Sequence, residues 1–203
     1  LFLERQRLRV GDRIGEAITI NGSIPGPVIR MQEGRDALIR VHNRMPSEST
    51  SIHWHGLILP FTMDGVPGIS FDGIASGETF TYRFPVRQNG TYWYHSHTGL
   101  QEQLGHYGQL ILEPAGRDPV GFDVEHSIVL SDWTFQDPHT VARNLKTIDG
   151  YYNFQRPTVV NLDDQMRAED ATLGEVIANR LRWQWMRMDP TDIADITSAT
   201  YTY

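Results

Sequence analysis

Gly90-Thr91-Tyr92-Trp93-Tyr94-His95-Ser96-His97 decides the fold class of this 203-residue chain. In an extended strand successive side chains point to opposite faces. Tyr92 and Tyr94 therefore share one face, and Trp93, His95 and His97 share the other. A strand this aromatic is expected to be buried, and buried imidazoles need partners. Asn89-Gly90, just before it, marks a tight turn.

The same period of two recurs on either side. Thr79-Phe80-Thr81-Tyr82-Arg83-Phe84 places three aromatics on one face and Thr, Thr and Arg on the other. Ala37-Leu38-Ile39-Arg40-Val41-His42 alternates more loosely, with Ile39 and Val41 opposite Arg40 and His42. Leu110-Ile111-Leu112 continues the pattern and stops at Glu113-Pro114. Turn signals separate these runs: Asn21-Gly22-Ser23, Pro25-Gly26-Pro27, Asp64-Gly65, Pro67-Gly68 and Asp72-Gly73. Many short strands joined this way indicate an all-β sandwich or barrel over residues 1–115. No clear strand is read before the Asn21-Gly22 turn.

Ala115-Gly116-Arg117-Asp118-Pro119 reads as a linker into a second domain over 116–203. Glu125-His126-Ser127-Ile128-Val129-Leu130-Ser131 is a strand candidate. From about 168 to 188 the texture turns helical: Leu173, Val176, Ile177, Arg180, Leu181, Trp183 and Gln184 recur near the 3.6-residue period, and Asp189-Pro190 ends the run. Tyr201-Thr202-Tyr203 alternates like the start of a strand with nothing after it to pair with, so the second domain is expected to be incomplete.

Composition narrows the function classes. Hydrophobic residues are 39% and charged residues 21%, a globular balance. No apolar run reaches the ~18 residues of a spanning helix. Leu1-Phe2-Leu3 gives way at once to Glu4-Arg5-Gln6-Arg7, which is not a secretory apolar region. A net charge of −7 without a basic block argues against nucleic-acid binding. There are no cysteines, which removes disulfides, thiolate chemistry and every metal site that needs a Cys ligand, the His₂Cys blue-copper site included.

The chemistry rests on the eight histidines, four of which form two His-X-His units: His53-Trp54-His55 and His95-Ser96-His97. On a strand each unit offers two imidazoles to one face. Two such strands side by side bring four neutral nitrogen ligands together, a set that suits copper, zinc, iron or nickel and leans towards copper or zinc. His42, His106, His126 and His139 are isolated and read as core or surface residues. The six methionines are scattered; Met186 and Met188 are conceivable soft contacts, with core or surface filling the simpler role. Asp64, a few residues past the first pair, reads either as a turn-former or as a carboxylate that orients a ligand or relays protons.

His53-Trp54-His55-Gly56, Asp64-Gly65-Val66-Pro67-Gly68 and Gly90 to His97 together resemble the first cupredoxin domain of multicopper oxidases, within the bacterial copper-resistance branch of its laccase-like enzymes. Asn21-Gly22-Ser23-Ile24-Pro25-Gly26-Pro27, Gln88-Asn89-Gly90-Thr91 and the stretch from Met186 to Asp195 strengthen the resemblance. It implies a cupredoxin-like Greek-key β-sandwich followed by an incomplete second cupredoxin-like domain with a helical insertion. It implies copper as cofactor, His53 as a type 2 ligand, and His55, His95 and His97 as type 3 ligands of a trinuclear cluster. Asp64 is implied as the acidic residue that helps deliver protons to oxygen. The implied reaction is one-electron oxidation of Cu(I) or phenol-like donors coupled to reduction of O2 to water, in the periplasm.

The family takes its remaining cluster ligands and its His-Cys-His type 1 copper element from a C-terminal domain. These 203 residues contain neither a cysteine nor a third His-X-His pair. The expectation is therefore the N-terminal part of a multicopper oxidase, inactive alone. The alternative is a non-catalytic module that sequesters copper through the same four histidines. A zinc hydrolase or a cupin-type dioxygenase fits less well: Gly56-Leu57-Ile58-Leu59-Pro60-Phe61 supplies no carboxylate after the first pair.

Overall fold

The computed structural model describes residues 1–118, 120–147, 151–152, 158–185 and 201–202, and its first two strands lie where the sequence gives no clear strand. β1 (Phe2–Val10) and β2 (Arg13–Ile20) form an antiparallel hairpin. Gly11, at φ 60, supplies the left-handed conformation that a two-residue hairpin loop needs. Charge hides this hairpin from an apolar pattern. Arg5, Arg7 and Arg9 occupy exposed positions of β1, where Arg5 pairs with Glu48 and Arg7 with Glu16.

Six further strands complete the first unit, Leu1–Ser131: β3 (Gly26–Gln32), β4 (Asp36–Asn43), β5 (His53–His55), β6 (Thr79–Pro85), β7 (Gly90–His95) and β8 (Tyr107–Glu113). They form two four-stranded sheets, ordered β2-β1-β4-β6 and β3-β8-β7-β5. β1 lies parallel to β4 and β3 parallel to β8, so the chain crosses between sheets as in a Greek-key sandwich. The all-β reading thus holds, and the alternation of β6 is realised with Tyr82 and Phe84 buried and Phe80 partly so.

Trp54, Tyr82, Phe84 and Tyr94 are the large side chains of a core that is otherwise aliphatic. Trp54 from β5 meets Tyr82 edge-on at 5.2 Å between ring centroids and lies 5.9 Å from Tyr94 of β7. Such pairs add ~0.5–1.5 kcal/mol beyond burial. The Tyr94 hydroxyl donates to the Pro27 carbonyl at 2.7 Å, across a gap that two glycines keep open. A Cβ on Gly108 would lie 2.3 Å from the Tyr94 hydroxyl oxygen, and one on Gly26 would lie 2.6 Å from it.

In the second unit, Asp132–Tyr203, three helices are described: α1 (Pro138–Thr147), α2 (Leu162–Glu169) and α3 (Leu173–Trp185). The single helix expected over about 168–188 is interrupted. Asp170 adopts a left-handed conformation at φ 48 and closes α2. Thr172 then opens α3, its amide and hydroxyl both donating to the Glu175 carboxylate, at 2.8 Å and 2.7 Å. The expected end at Asp189-Pro190 lies outside the described residues. α1 was not foreseen, although Asp137-Pro138 carries its start signal: the Asp137 carboxylate accepts from the Thr140 amide at 3.0 Å.

One strand expectation fails. Glu125–Ser131 is irregular rather than a strand, and its Ile128 and Leu130 are exposed. Alternation makes no strand without a ladder partner, and none is present among the described residues. β10 (Tyr201–Thr202), by contrast, does have a partner: it pairs antiparallel with β9 (Trp133–Thr134), earlier in the chain.

Tyr94→Phe is expected to cost about 1 kcal/mol through the lost hydrogen bond. Gly108→Ala is expected to cost more, ~2–3 kcal/mol, because its methyl group would overlap a buried ring. Urea denaturation of the two variants measures both values, and equal effects would contradict the clearance argument.

Candidate metal centre

β5 is only three residues long, and its antiparallel pairing with β7 fixes the centre. His53 lies opposite His95, Trp54 opposite Tyr94, and His55 opposite Trp93. Trp54 and Tyr94 enter the core, so the period of two turns His53, His55, Trp93 and His95 to the other face. His97 follows beyond the end of β7. Its backbone amide donates to the Ser51 hydroxyl at 3.0 Å, which sits 2.9 Å from the Thr98 hydroxyl.

All four sequence-selected histidines are brought together. The ring centroids of His53 lie 4.8 Å from those of His97, 5.4 Å from His95 and 5.6 Å from His55. Donor nitrogens of His53, His95 and His97 lie within 4.8 Å of one another, and His55 Nδ1 lies 3.1 Å from His95 Nε2. Two imidazole nitrogens bound to one ion at ~2.0 Å each, ~100° apart, are themselves roughly 3.1 Å apart. The donor set therefore fits a metal of the copper or zinc type.

Second contacts orient the rings. His53 Nδ1 donates to the main-chain carbonyl of Asp64 at 2.7 Å, and the Asp64 carboxylate lies 3.4 Å from the same nitrogen. The carbonyl is nearer and can only accept, so the hydrogen sits on Nδ1 and Nε2 is left for a ligand. Gly65 makes this approach possible. It adopts φ 79, and a Cβ there would lie 1.8 Å from the Ile52 carbonyl oxygen, so only glycine lets the loop lie against β5. Asp64 thus serves both as turn residue and as a partner of His53.

His95 is nearly buried, at 5% exposure. His55 and His97 are exposed, yet partial desolvation, with the neighbouring imidazoles adding to it, pulls both below the usual histidine range. They are held neutral, the form that binds metal. The strand is not buried as a whole. Trp93 is 37% exposed and stacks over His95 at 4.0 Å and His55 at 5.0 Å, so its ring covers the imidazoles from outside.

Sequence reasoning missed Glu102, whereas His106, read as a core or surface residue, is indeed core. Glu102 Oε2 lies 2.7 Å from His95 Nδ1, and this bond holds its carboxyl below the usual carboxylate range. His106 is fully buried behind the centre, its Nδ1 3.4 Å from the Thr50 hydroxyl. Gln101 ties this region together: its Oε1 accepts from Thr50 at 2.8 Å and Ser96 at 2.9 Å, and its amide donates to the Ser49 carbonyl at 2.9 Å. The other isolated histidines lie elsewhere: His42 bonds Thr79 at 2.8 Å, and His126 and His139 are exposed. Met45 is core, and Met186 and Met188 lie outside the described residues.

Burial pushes His106 down to about 3, with His95 adding to the shift. In the unfolded chain a histidine takes its proton near pH ~6.5. Between those values the unfolded state binds a proton that the folded state refuses, so stability falls as pH falls through this window and is unaffected at neutral pH. The metal-free protein is expected to lose up to ~1.4 kcal/mol per pH unit from this group. His106→Val should flatten that acid limb in urea unfolding between pH 6.5 and 4; an unchanged slope would count against it.

Known proteins share this arrangement of sequence and fold. The sequence profile of a family described as multicopper oxidase matches residues 4–117. Copper resistance protein A of Escherichia coli is 52% identical over 190 residues, covering 93% of this chain and 31% of that protein. The protein of the same name from Pseudomonas syringae pv. tomato is 49% identical over 203 residues, covering 100% and 33%. This chain thus spans about a third of the length of these curated relatives. Among solved structures, the blue copper oxidase from Nitrosomonas europaea superposes with a TM-score of 0.55 at 35% identity, over 58% of this chain and 39% of its own.

Proposed function

Because this chain belongs to the multicopper oxidase family, we propose that His53, His55, His95 and His97 are its contribution to a trinuclear copper centre. In this reading His53 binds the type 2 ion and the other three bind the type 3 ions. A cupredoxin domain not contained in these residues supplies the remaining ligands and the type 1 copper, for which this chain has no cysteine. The observation that carries the reading is the convergence of four imidazoles, with His55 Nδ1 and His95 Nε2 only 3.1 Å apart. Copper bound there would supply the one-electron chemistry that couples oxidation of a small reductant, Cu(I) or a phenol-like donor, to reduction of O2 to water.

The residues of this chain act around that chemistry. The Asp64 carbonyl aims His53 by taking its Nδ1 hydrogen. The Asp64 carboxylate, 3.4 Å from that nitrogen, stands at the edge of the centre as the group that holds and hands over protons. Trp93 lies flat over His95 and His55 and excludes water from that side. A role in copper resistance is extended from the names of the two relatives, and the periplasm is the compartment this reading assigns. No described helix is long and apolar enough to cross a membrane. A second reading takes the same four imidazoles, with His55 and His97 exposed, as a site that sequesters copper without turnover.

Copper titration and oxygen uptake separate these readings. The protein is expected to bind copper, and His53→Ala and His95→Ala each to weaken that binding at least ~10-fold. Asp64→Asn keeps the carbonyl contact, so it should keep its copper while oxygen uptake by the full-length protein, with Cu(I) or a phenol as donor, falls by ~10²-fold or more. Copper retention with no oxygen uptake by the full-length wild type would favour sequestration. Failure to bind copper would overturn both.

A further inference from the structure

Glu102 meets the centre from the far side of His95 and has no role in the function proposed above. It opens a short 3-10 turn, Glu102–Leu104, and its carboxylate lies 2.7 Å from His95 Nδ1. The Ser96 carbonyl lies 3.0 Å from the same nitrogen. Both groups only accept, so His95 carries a hydrogen on Nδ1 and, as the neutral imidazole, presents a bare lone pair at Nε2. That lone pair faces His55 Nδ1 at 3.1 Å. Two lone pairs do not face each other at this distance without a hydrogen or a cation between them. With both rings neutral and no metal bound, the hydrogen therefore comes from His55, as Nδ1–H donating to His95 Nε2.

We propose that Glu102 is a positioning residue which holds His95 in its Nδ1–H form and, through His95, sets the tautomer of His55. The chain runs from the Glu102 carboxylate to His95 Nδ1–H, and from His95 Nε2 to His55 Nδ1–H. A cation held by His95 and His55 would take the place of the second hydrogen. His55 would then carry that hydrogen on Nε2 instead, so the exchange of ligand for donor would release no net proton. Glu102 outweighs the Ser96 carbonyl at His95 because its bond is shorter and charge-assisted. A carboxylate behind an imidazole also raises the basicity of the ligand nitrogen.

The Glu102 side chain is 48% exposed, so its removal leaves no buried charge and variants at this position should fold. The tautomer assignment stands on the geometry alone; its consequence for metal rests on the copper reading above. The experiment uses the full-length protein, labelled with 15N-histidine and freed of metal, in long-range 15N–1H correlation. Wild type and Glu102→Gln, whose amide oxygen still accepts, are expected to show both His95 and His55 as Nδ1–H. Glu102→Ala should move both rings towards the Nε2–H form. In competition with a copper chelator, Glu102→Ala should lose ~10–100-fold in affinity and Glu102→Gln only a few-fold. Unchanged tautomers together with unchanged affinity in Glu102→Ala would overturn the proposal, leaving the Ser96 carbonyl as sufficient. The expected tautomer shifts in Glu102→Ala, together with a wild type that binds no copper, would uphold the role of Glu102 and sink the copper reading instead.

Discussion

The pairing of His53 with His95 across β5 and β7 is the contact on which the rest of the first unit depends. Side chains on a strand alternate, so this register decides at once what enters the core and what faces the centre. A slip of one residue would turn Trp54 outward and send His53 and His55 into an apolar core that could not pair them. The core resists that slip. Tyr94 is held at its far end by the Pro27 carbonyl and threads past Gly26 and Gly108 with no room for a methyl group. Core packing and imidazole placement are therefore one constraint seen from two sides of the sheet.

Placing four imidazoles this close is electrostatically unfavourable for their charged forms, and the structure uses that. Partial desolvation and mutual repulsion depress His55 and His97, so these two rings are kept neutral and available to a cation near neutral pH. Neutrality alone would leave each ring free to choose its tautomer. The Asp64 carbonyl removes that freedom at His53, and Glu102 and the Ser96 carbonyl remove it at His95. Behind them, Gln101 joins Thr50, Ser96 and Ser49 into one hydrogen-bonded block, which ties Ser96 and the turn that begins at Glu102 to the segment before β5.

The sandwich and the four histidines were legible because both follow from a period of two, which a sequence displays directly. What was missed depends on contacts that no period encodes. Any residue has a main-chain carbonyl, so nothing in the side chain of Asp64 announces that its carbonyl takes the His53 hydrogen; the clue is Gly65, whose close approach to Ile52 shows only in three dimensions. Glu102 reaches His95 because the chain folds back through a 3-10 turn closed by Gly105 at φ 100. β1 escaped notice because its exposed arginines, paired across to Glu48 and Glu16, mask a hairpin that charge helps to hold. Glu125–Ser131 shows the converse, a strand-like pattern that forms no ladder among the described residues.

His95 is nearly buried while His55 and His97 remain exposed, which makes the centre an open face rather than a closed cage. In a closed imidazole cage the protein alone fixes coordination number and geometry, and with them the metal's reactivity. On an open face the fold fixes only where the ligand nitrogens stand, and whatever lies over the remaining positions determines what the bound ion does. In the proposed reading, the capacity to hold a metal therefore belongs to these strands themselves, written in a register that their core enforces. Redox activity, in the same reading, belongs to the covered centre. The two properties are physically separable, which is why a difference between copper retention and oxygen uptake is informative about this protein.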